Sequence, residues 1–314
     1  MKCRIILLYR LIIRLLQKKE INKMIYIIIN YKSLIMLVLS FFLFVYTCSF
    51  YVRGYNEDMA MRYVNLCQAT YCVTDINKWT CKTCDPTMYL EYIVEHSGSK
   101  ALQGYDSYTN TLFTSFRGSS NIQNWLENVQ FNKISPYSNS SIKVESGFYK
   151  AYNYIKDDIF DNLIILSDKY ETSNVIITGH SSGGAMATLM SYDLTTEYKF
   201  LDFRIQLAFT FGSPRVGNSE FSKSFYLNVP SSYRVTHHYD MVPHVPQEFV
   251  SYEHVPSEIW YNENNSKYTF CHDSNSIEDP DCSNSCSPVH CTSTDDHLYY
   301  LNVTMGNDDG TQCW

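Results

Sequence analysis

Two kinds of apolar pattern run along this chain. The first is an unbroken run, Leu34-Ile-Met-Leu-Val-Leu-Ser-Phe-Phe-Leu-Phe-Val-Tyr46, interrupted only by Ser40. Beyond it the apolar positions become periodic. Leu102–Tyr105 and Thr111–Phe116 flank the polar stretch Asp106–Asn110 and predict a hairpin. Phe148, Tyr152, Ile155, Ile159, Leu163 and Leu166 recur at three- and four-residue steps and predict one helix over Glu145–Tyr170. Val175–Thr178 reads as a short buried strand, and a second helix is expected from Ser182 to about Tyr198, with Ala185, Leu189 and Tyr192 toward the strands. Phe203–Phe211 and Tyr233–His237 read as further strands and Cys271–Cys291 as loop. Strands alternating with helices place the chain in the α/β class, with a mostly parallel central sheet and flanking helices. No repeat or linker divides residues 51–314, so one domain is expected there.

The unbroken run belongs to a different object. It follows a basic leader and ends at Thr47, Cys48 and Ser49, the layout of a secretory signal peptide over residues 1–50, with Met24 or Met36 as an alternative start. Leu34–Val52 is also long enough for a signal anchor at about 20 residues per span. Lysines ahead of the run keep the N-terminus cytoplasmic, so both readings export the body: secreted or lumenal in one, membrane-anchored in the other.

Charge divides the chain at the same place. Residues 1–53 hold nine Lys/Arg and one acid, so the net −7 of the 314-residue chain leaves −15 on residues 54–314. An acidic body argues against nucleic acid as a partner. Nine of the eleven cysteines lie in that body, a density suited to an oxidising compartment. Sequons at Asn139, Asn264 and Asn302 fit the same route as glycosylation candidates.

The candidate chemistry centres on Gly179-His-Ser-Ser-Gly183, a Gly-x-Ser-x-Gly run between the expected strand and helix. A tight strand-to-helix turn lifts the serine hydroxyl above the sheet, and the glycines let strand and helix approach each other. Glycine is scarce, twelve in the chain, yet three fall between Gly179 and Gly184. Ser181 is therefore the candidate nucleophile, with His180 read as structural. Asp240, which closes the strand Tyr233–Tyr239, stands where a triad acid belongs. Asp193 and Asp202 are expected to be solvated. His297 is the leading candidate for the base by position, with His290 and His254 as rivals. Phe116-Arg-Gly-Ser119 follows a strand and offers an oxyanion loop, with Ser119 and the N–H of Ser182 as donors, or else a helix N-cap at Ser119 or Ser120. Ile122, Trp125 and Leu126 form a one-sided apolar stripe, either core packing or a lid that opens onto lipid.

Together these segments resemble the class 3 lipases, most closely the filamentous-fungal triacylglycerol lipases. The resemblance covers about Ala69–Cys313. It rests on Phe116-Arg-Gly-Ser-Ser-Asn-Ile-Gln-Asn-Trp125, Ile177-Thr-Gly-His-Ser-Ser-Gly-Gly-Ala185, Phe211-Gly-Ser-Pro-Arg-Val-Gly217, Asp240-Met-Val-Pro-His-Val-Pro246 and Asp296-His-Leu-Tyr299. It implies an α/β-hydrolase fold, a Ser181–Asp240–His297 triad and oxyanion donors Ser119 and Ser182. It also implies a lid around Ser120–Leu126, in transient contact with a lipid surface. Leucine is common where this chain has Ser182, a change that keeps the backbone donor. The resemblance further implies bridges Cys81–Cys84, Cys72–Cys313 and Cys271–Cys282, with Cys286–Cys291 as an extra and Cys67 unpaired. A zinc set of Cys282, Cys286, His290 and Cys291 is the rival for the last four, but disulfides are the default in an exported chain.

The implied activity is that of a secreted serine carboxylester hydrolase acting on a lipid or ester at an interface, without cofactor or metal. The alternatives are a phospholipase A1 or soluble-ester esterase on the same fold, or a non-catalytic lipid-binding protein.

Overall fold

The computed structural model describes residues 54–119, 121–122, 131–271, 278–286, 290–306 and 313. The leader over residues 1–50, and Ser120, Trp125 and Leu126 of the expected lid, lie outside them.

An eight-stranded sheet organises the chain: β1 (Met88–His96), β2 (Ser99–Asp106), β3 (Thr111–Phe116), β4 (Asn174–His180), β5 (Arg204–Phe211), β6 (Ser232–His237), β7 (Glu258–Tyr261) and β8 (Tyr268–Phe270), adjacent in that order. β1, β2 and β3 form an antiparallel meander, β3 through β7 run parallel, and β8 turns back antiparallel on β7. The parallel core with antiparallel edges is the α/β-hydrolase arrangement. Six described helices accompany it: α1 (Glu57–Cys72), α2 (Ser146–Asn153), α3 (Lys156–Tyr170), α4 (Ser182–Thr195), α5 (Ser219–Asn228) and the single turn α6 (Thr294–His297).

The period-2 alternation of the strands sorts two cores. Val175 and Ile177 of β4 point to the face covered by α2–α5, where they meet Phe148, Ile159, Leu163 and Leu189. Ile176 points to the other face, with Phe113, Phe209 and Phe211, under α1's Tyr63, Val64 and Cys67. Every residue of β3 is buried, as a strand covered on both faces requires. α4 lies deepest, with every residue from Gly183 to Leu194 buried, so it shows no stripe.

Three expectations change. The helix expected over Glu145–Tyr170 is two, parted at Tyr154–Ile155. Tyr152 and Ile155 are both buried at a three-residue step, so the apolar spacing runs across the break without marking it. Asp193 is not solvated but 1% exposed, its carboxylate accepting a 3.0 Å bond from the Tyr137 hydroxyl. Neither α1 nor β1 is among the elements predicted above. In α1 the spacing Ala60, Tyr63, Val64, Cys67 is present behind an Asn56 cap, but Gln68 and Thr70 are buried beside it and blur the stripe. Arg62 fastens α1 to the sheet, bonding both carboxylate oxygens of the buried Asp106 at 2.6 and 2.7 Å.

Four disulfides are present: Cys72–Cys313, Cys81–Cys84, Cys271–Cys282 and Cys286–Cys291. Their sulfurs are spent, so the zinc set has no thiolates to offer. Cys67 is a free, buried thiol 3.2 Å from the Thr178 hydroxyl, and burial pushes its pKa up to about 12.

Candidate active site

The parallel strands end together. Phe116 pairs with Gly179, His180 with Phe211 and Phe211 with Val235, so the loops after β3, β4, β5 and β6 converge on one edge. Ser119, Ser181, Gly212 and Asp240 all leave from that edge.

Ser181 joins β4 to α4 with φ 59° and ψ −133°, a region that costs a non-glycine residue about 1–3 kcal/mol. Its surroundings hold it there. The Ser181 N–H bonds the Phe211 carbonyl at 2.9 Å. A Cβ on Gly179 would stand 2.2 Å from the Gly183 carbonyl oxygen, and one on Gly183 2.3 Å from that of Phe116. Strand, turn and helix therefore approach to a distance only glycine permits.

His297 ends α6, whose N-terminus is capped by Ser293 through a 2.9 Å bond from Asp296 N–H. Its ring is fully buried, with Nδ1 2.9 and 3.0 Å from the two Asp240 oxygens. A carboxylate only accepts, so Nδ1 carries the proton and Nε2 is left with a lone pair. Among the described residues, His297 Nε2 and Ser181 Oγ are both buried without a hydrogen-bond partner. Asp240 is held in turn by the Val242 N–H at 2.8 Å and the Tyr300 hydroxyl at 2.5 Å. Asp296 ties the two loops together, accepting from the Tyr239 N–H at 3.1 Å with His238 Nδ1 at 2.9 Å.

His180 supports His297 from beneath. Its Nε2 lies 2.8 Å from the His297 carbonyl oxygen, so Nε2 is the donor and Nδ1 accepts from the Tyr71 hydroxyl at 2.8 Å. Burial, and secondarily the neighbouring His297, holds its pKa far below the usual imidazole range, so it stays neutral. The rival histidine His254 is buried elsewhere, its Nε2 2.6 Å from the Pro243 carbonyl, and Asp240 receives neither it nor His290.

Gly118 brings the loop after β3 against Ser181, for a Cβ there would meet Ser181 Cβ at 2.9 Å. Ser119 Oγ lies 3.1 Å from Ser182 Oγ. Ser182 opens α4, where backbone N–H groups have no acceptor inside the helix. Two donors thus stand beside Ser181 at a positive helix end. Ile122 is half-buried; the rest of the stripe lies outside the described residues. Tyr300 and Tyr71 were not singled out by the sequence. One of 27 tyrosines carries no local signal of what it touches.

The model of the class 3 lipases matches residues 113–250. The chain is 32% identical over 251 residues to a lipase of Rhizomucor miehei, covering 78% of this chain and 68% of that one. It is 32% identical over 164 residues to secreted mono- and diacylglycerol lipase 1 of Fusarium solani, covering 52% of this chain and 48% of that one. A solved triacylglycerol lipase with a serine protease triad as its catalytic centre superposes with a TM-score of 0.72 at 29% identity, covering 80% of this chain and 96% of that chain. Identity at that level across two thirds of a lipase, on the same fold, makes this chain a member of the class 3 lipases, a family of carboxylic ester hydrolases.

Proposed function

We propose that the protein is a secreted triacylglycerol lipase working through an acyl-enzyme. Ser181 Oγ bonds to the ester carbonyl carbon while its proton passes to His297 Nε2, and Asp240 steadies the imidazolium. The carbonyl oxygen becomes an oxyanion that accepts from the Ser182 N–H and the Ser119 hydroxyl, donors worth about 3–4 kcal/mol each in such sites. The C–O bond to the alcohol breaks as His297 returns the proton to the leaving oxygen. Water, deprotonated by the same nitrogen, then releases the acid and restores Ser181.

The observation that carries this reading is the complementary pair of unpartnered buried atoms, a hydroxyl and an imidazole nitrogen, with Asp240 on the far side of the ring. Ser181→Ala should lower ester hydrolysis about 10⁶-fold without unfolding the protein. Retained activity in that variant would overturn the assignment. A fluorophosphonate that failed to label Ser181 would favour the non-catalytic lipid-binding reading. Triolein, phosphatidylcholine and a short nitrophenyl ester, assayed together, separate lipase from phospholipase A1 or soluble-ester esterase.

Secretion rests on the basic, apolar leader, the four disulfides and the likeness to a secreted lipase of Fusarium solani. Among the described residues no helix is long and apolar enough to cross a membrane. Asn139, Asn264 and Asn302 are exposed, as glycan acceptors must be. The stripe of Ile122, Trp125 and Leu126 is proposed as the lid that meets lipid, since a body at −15 gains nothing from an anionic surface.

A further inference from the structure

In the reaction above Ser182 acts through its backbone N–H alone, and its side chain has no part. Yet Ser182 Oγ lies 3.1 Å from Ser119 Oγ, the side-chain donor of the same oxyanion hole. The leucine common at this position in the class 3 lipases has no hydrogen bond to offer there. The meeting of the two hydroxyls is imposed by backbone. A Cβ on Gly183 would stand 2.8 Å from the Arg117 carbonyl carbon, and one on Gly118 would stand 2.7 Å from the His180 carbonyl oxygen. Residues 116–118 and 180–183 are thus pressed together along their main chains, and Ser119 and Ser182 are the next side chains out. Ser182 is further fixed as the first residue of α4.

Both side chains are half-buried, and among the described residues neither hydroxyl has another hydrogen-bond partner. Two hydroxyls bring two protons, and the bond between them uses one. The other is left for an acceptor beside the pair. An oxyanion is the strongest acceptor that forms there, so it takes the proton of Ser119, and Ser182 supplies the bond between the two serines. A hydroxyl that accepts a hydrogen bond becomes a better donor, because each bond polarises the next. The resting separation exceeds the usual O–H···O distance of about 2.7–2.8 Å, so this bond has room to shorten as charge develops.

We propose that the Ser182 hydroxyl is a positioning group of the oxyanion hole: it donates to Ser119 Oγ, turns the Ser119 proton toward the oxyanion and strengthens that bond in the transition state. The inference rests on the hydrolase reading, in which Ser119 is a donor. Ser182 then works twice from one position. Its N–H meets the oxyanion directly, and its hydroxyl acts only through Ser119.

A double-mutant cycle on a short nitrophenyl ester tests this, with the melting temperature of each variant recorded beside its rate. Ser119→Ala should lower kcat about 100-fold. Ser182→Ala, which keeps the N–H, should lower kcat about fivefold, the worth of one neutral hydrogen bond, with KM and melting temperature near wild type. A boronic acid that mimics the tetrahedral intermediate should bind that variant more weakly by about the same factor. Ser182→Thr, which restores a hydroxyl, should recover kcat to within about twofold of wild type. In the Ser119→Ala background, Ser182→Ala should cost less than about twofold, since no hydroxyl is left to orient. A Ser182→Ala loss of equal size with and without Ser119 overturns the proposal, because Ser182 then acts on the ester or on the fold. So does a Ser182→Ala protein with wild-type kcat, and if Ser181→Ala is inactive beside it the hydrolase reading still stands. A folded wild type that hydrolyses no ester overturns that reading and this inference together.

Discussion

The proposed nucleophile, Ser181, and its proposed base, His297, are held by different means. Between Phe116 and Gly184 the fixing is done by backbone: paired strand ends, a Ser181 N–H on the Phe211 carbonyl, and glycines whose missing Cβ atoms set the spacing. Across the site, Asp240 and His297 come from loops 57 positions apart, and side chains fix them: the Asp240–His297 bond, Tyr300 on Asp240, and Asp296 reaching back to Tyr239. Backbone fixing is stiff and fails by strain. Side-chain fixing fails one hydrogen bond at a time. The first therefore breaks as stability, the second as rate.

The contrast is sharpest at Asp240. Asp240→Asn retains shape but offers an amide N–H toward His297 Nδ1, favouring the tautomer with Nε2 protonated. kcat should fall about 10⁴-fold with the melting temperature close to wild type. A parallel loss of stability would show that the acid is structural instead. On the other side, Gly183→Ala forces a Cβ to 2.3 Å from the Phe116 carbonyl oxygen. Urea denaturation should show a loss of about 2–4 kcal/mol or more, against about 1 kcal/mol gained where alanine fits a helix freely. Tyr300→Phe removes one bond to a buried carboxylate, so kcat should fall about 10- to 100-fold. Unchanged kcat there would move the support of Asp240 onto the Val242 N–H alone.

An effect that leaves the rate untouched lies behind Ser181, near the end of α4. Burial raises the Asp193 carboxyl to about 6 from its ordinary 3.8, with Lys156 opposing. The folded state holds that proton more tightly than the unfolded chain. The stability this confers is present below pH 3.8 and is lost as pH rises through about 6, up to about 3 kcal/mol. Asp193→Asn should therefore gain stability over the wild type as pH goes from 4 to 7, read as diverging urea midpoints. Its pH–rate profile should stay that of the triad.

How much of this the sequence shows follows the same division. The elbow is local: its three glycines and the β-branched strand before it lie within ten residues, so the spacing together with its strand-and-helix context points to Ser181. The parallel centre of the sheet follows from the alternation of strands and helices, whereas β1, β7 and β8, and with them the strand order, are not read from the sequence. His297 is not local. His254, His290 and His297 differ little as sequence, and what separates them is which loop reaches the end of β6. Position puts His297 first among the three, and the resemblance to a family sets it clearly above His254 and His290. Asp193 misleads because a carboxylate on a helix is usually solvated, whereas α4 is covered all round. The helix break at Tyr154–Ile155 leaves no apolar mismatch to read.

The bridge from Cys72 to Cys313 spans 241 positions, and it sets a clock. Cys72 ends α1, and the residue before it is the Tyr71 that seats His180 beneath His297. At about 5–20 residues per second, roughly 10–50 s of synthesis separate the two cysteines. During that interval the Cys72 thiol waits among Cys67, Cys81 and Cys84, joined later by Cys271, Cys282, Cys286 and Cys291. Pairing of Cys81 with Cys84, of Cys271 with Cys282 and of Cys286 with Cys291 removes six wrong partners, and burial of Cys67 removes another. The seat of His180 beneath His297 is thus tied covalently to Cys313, 241 positions further along the chain.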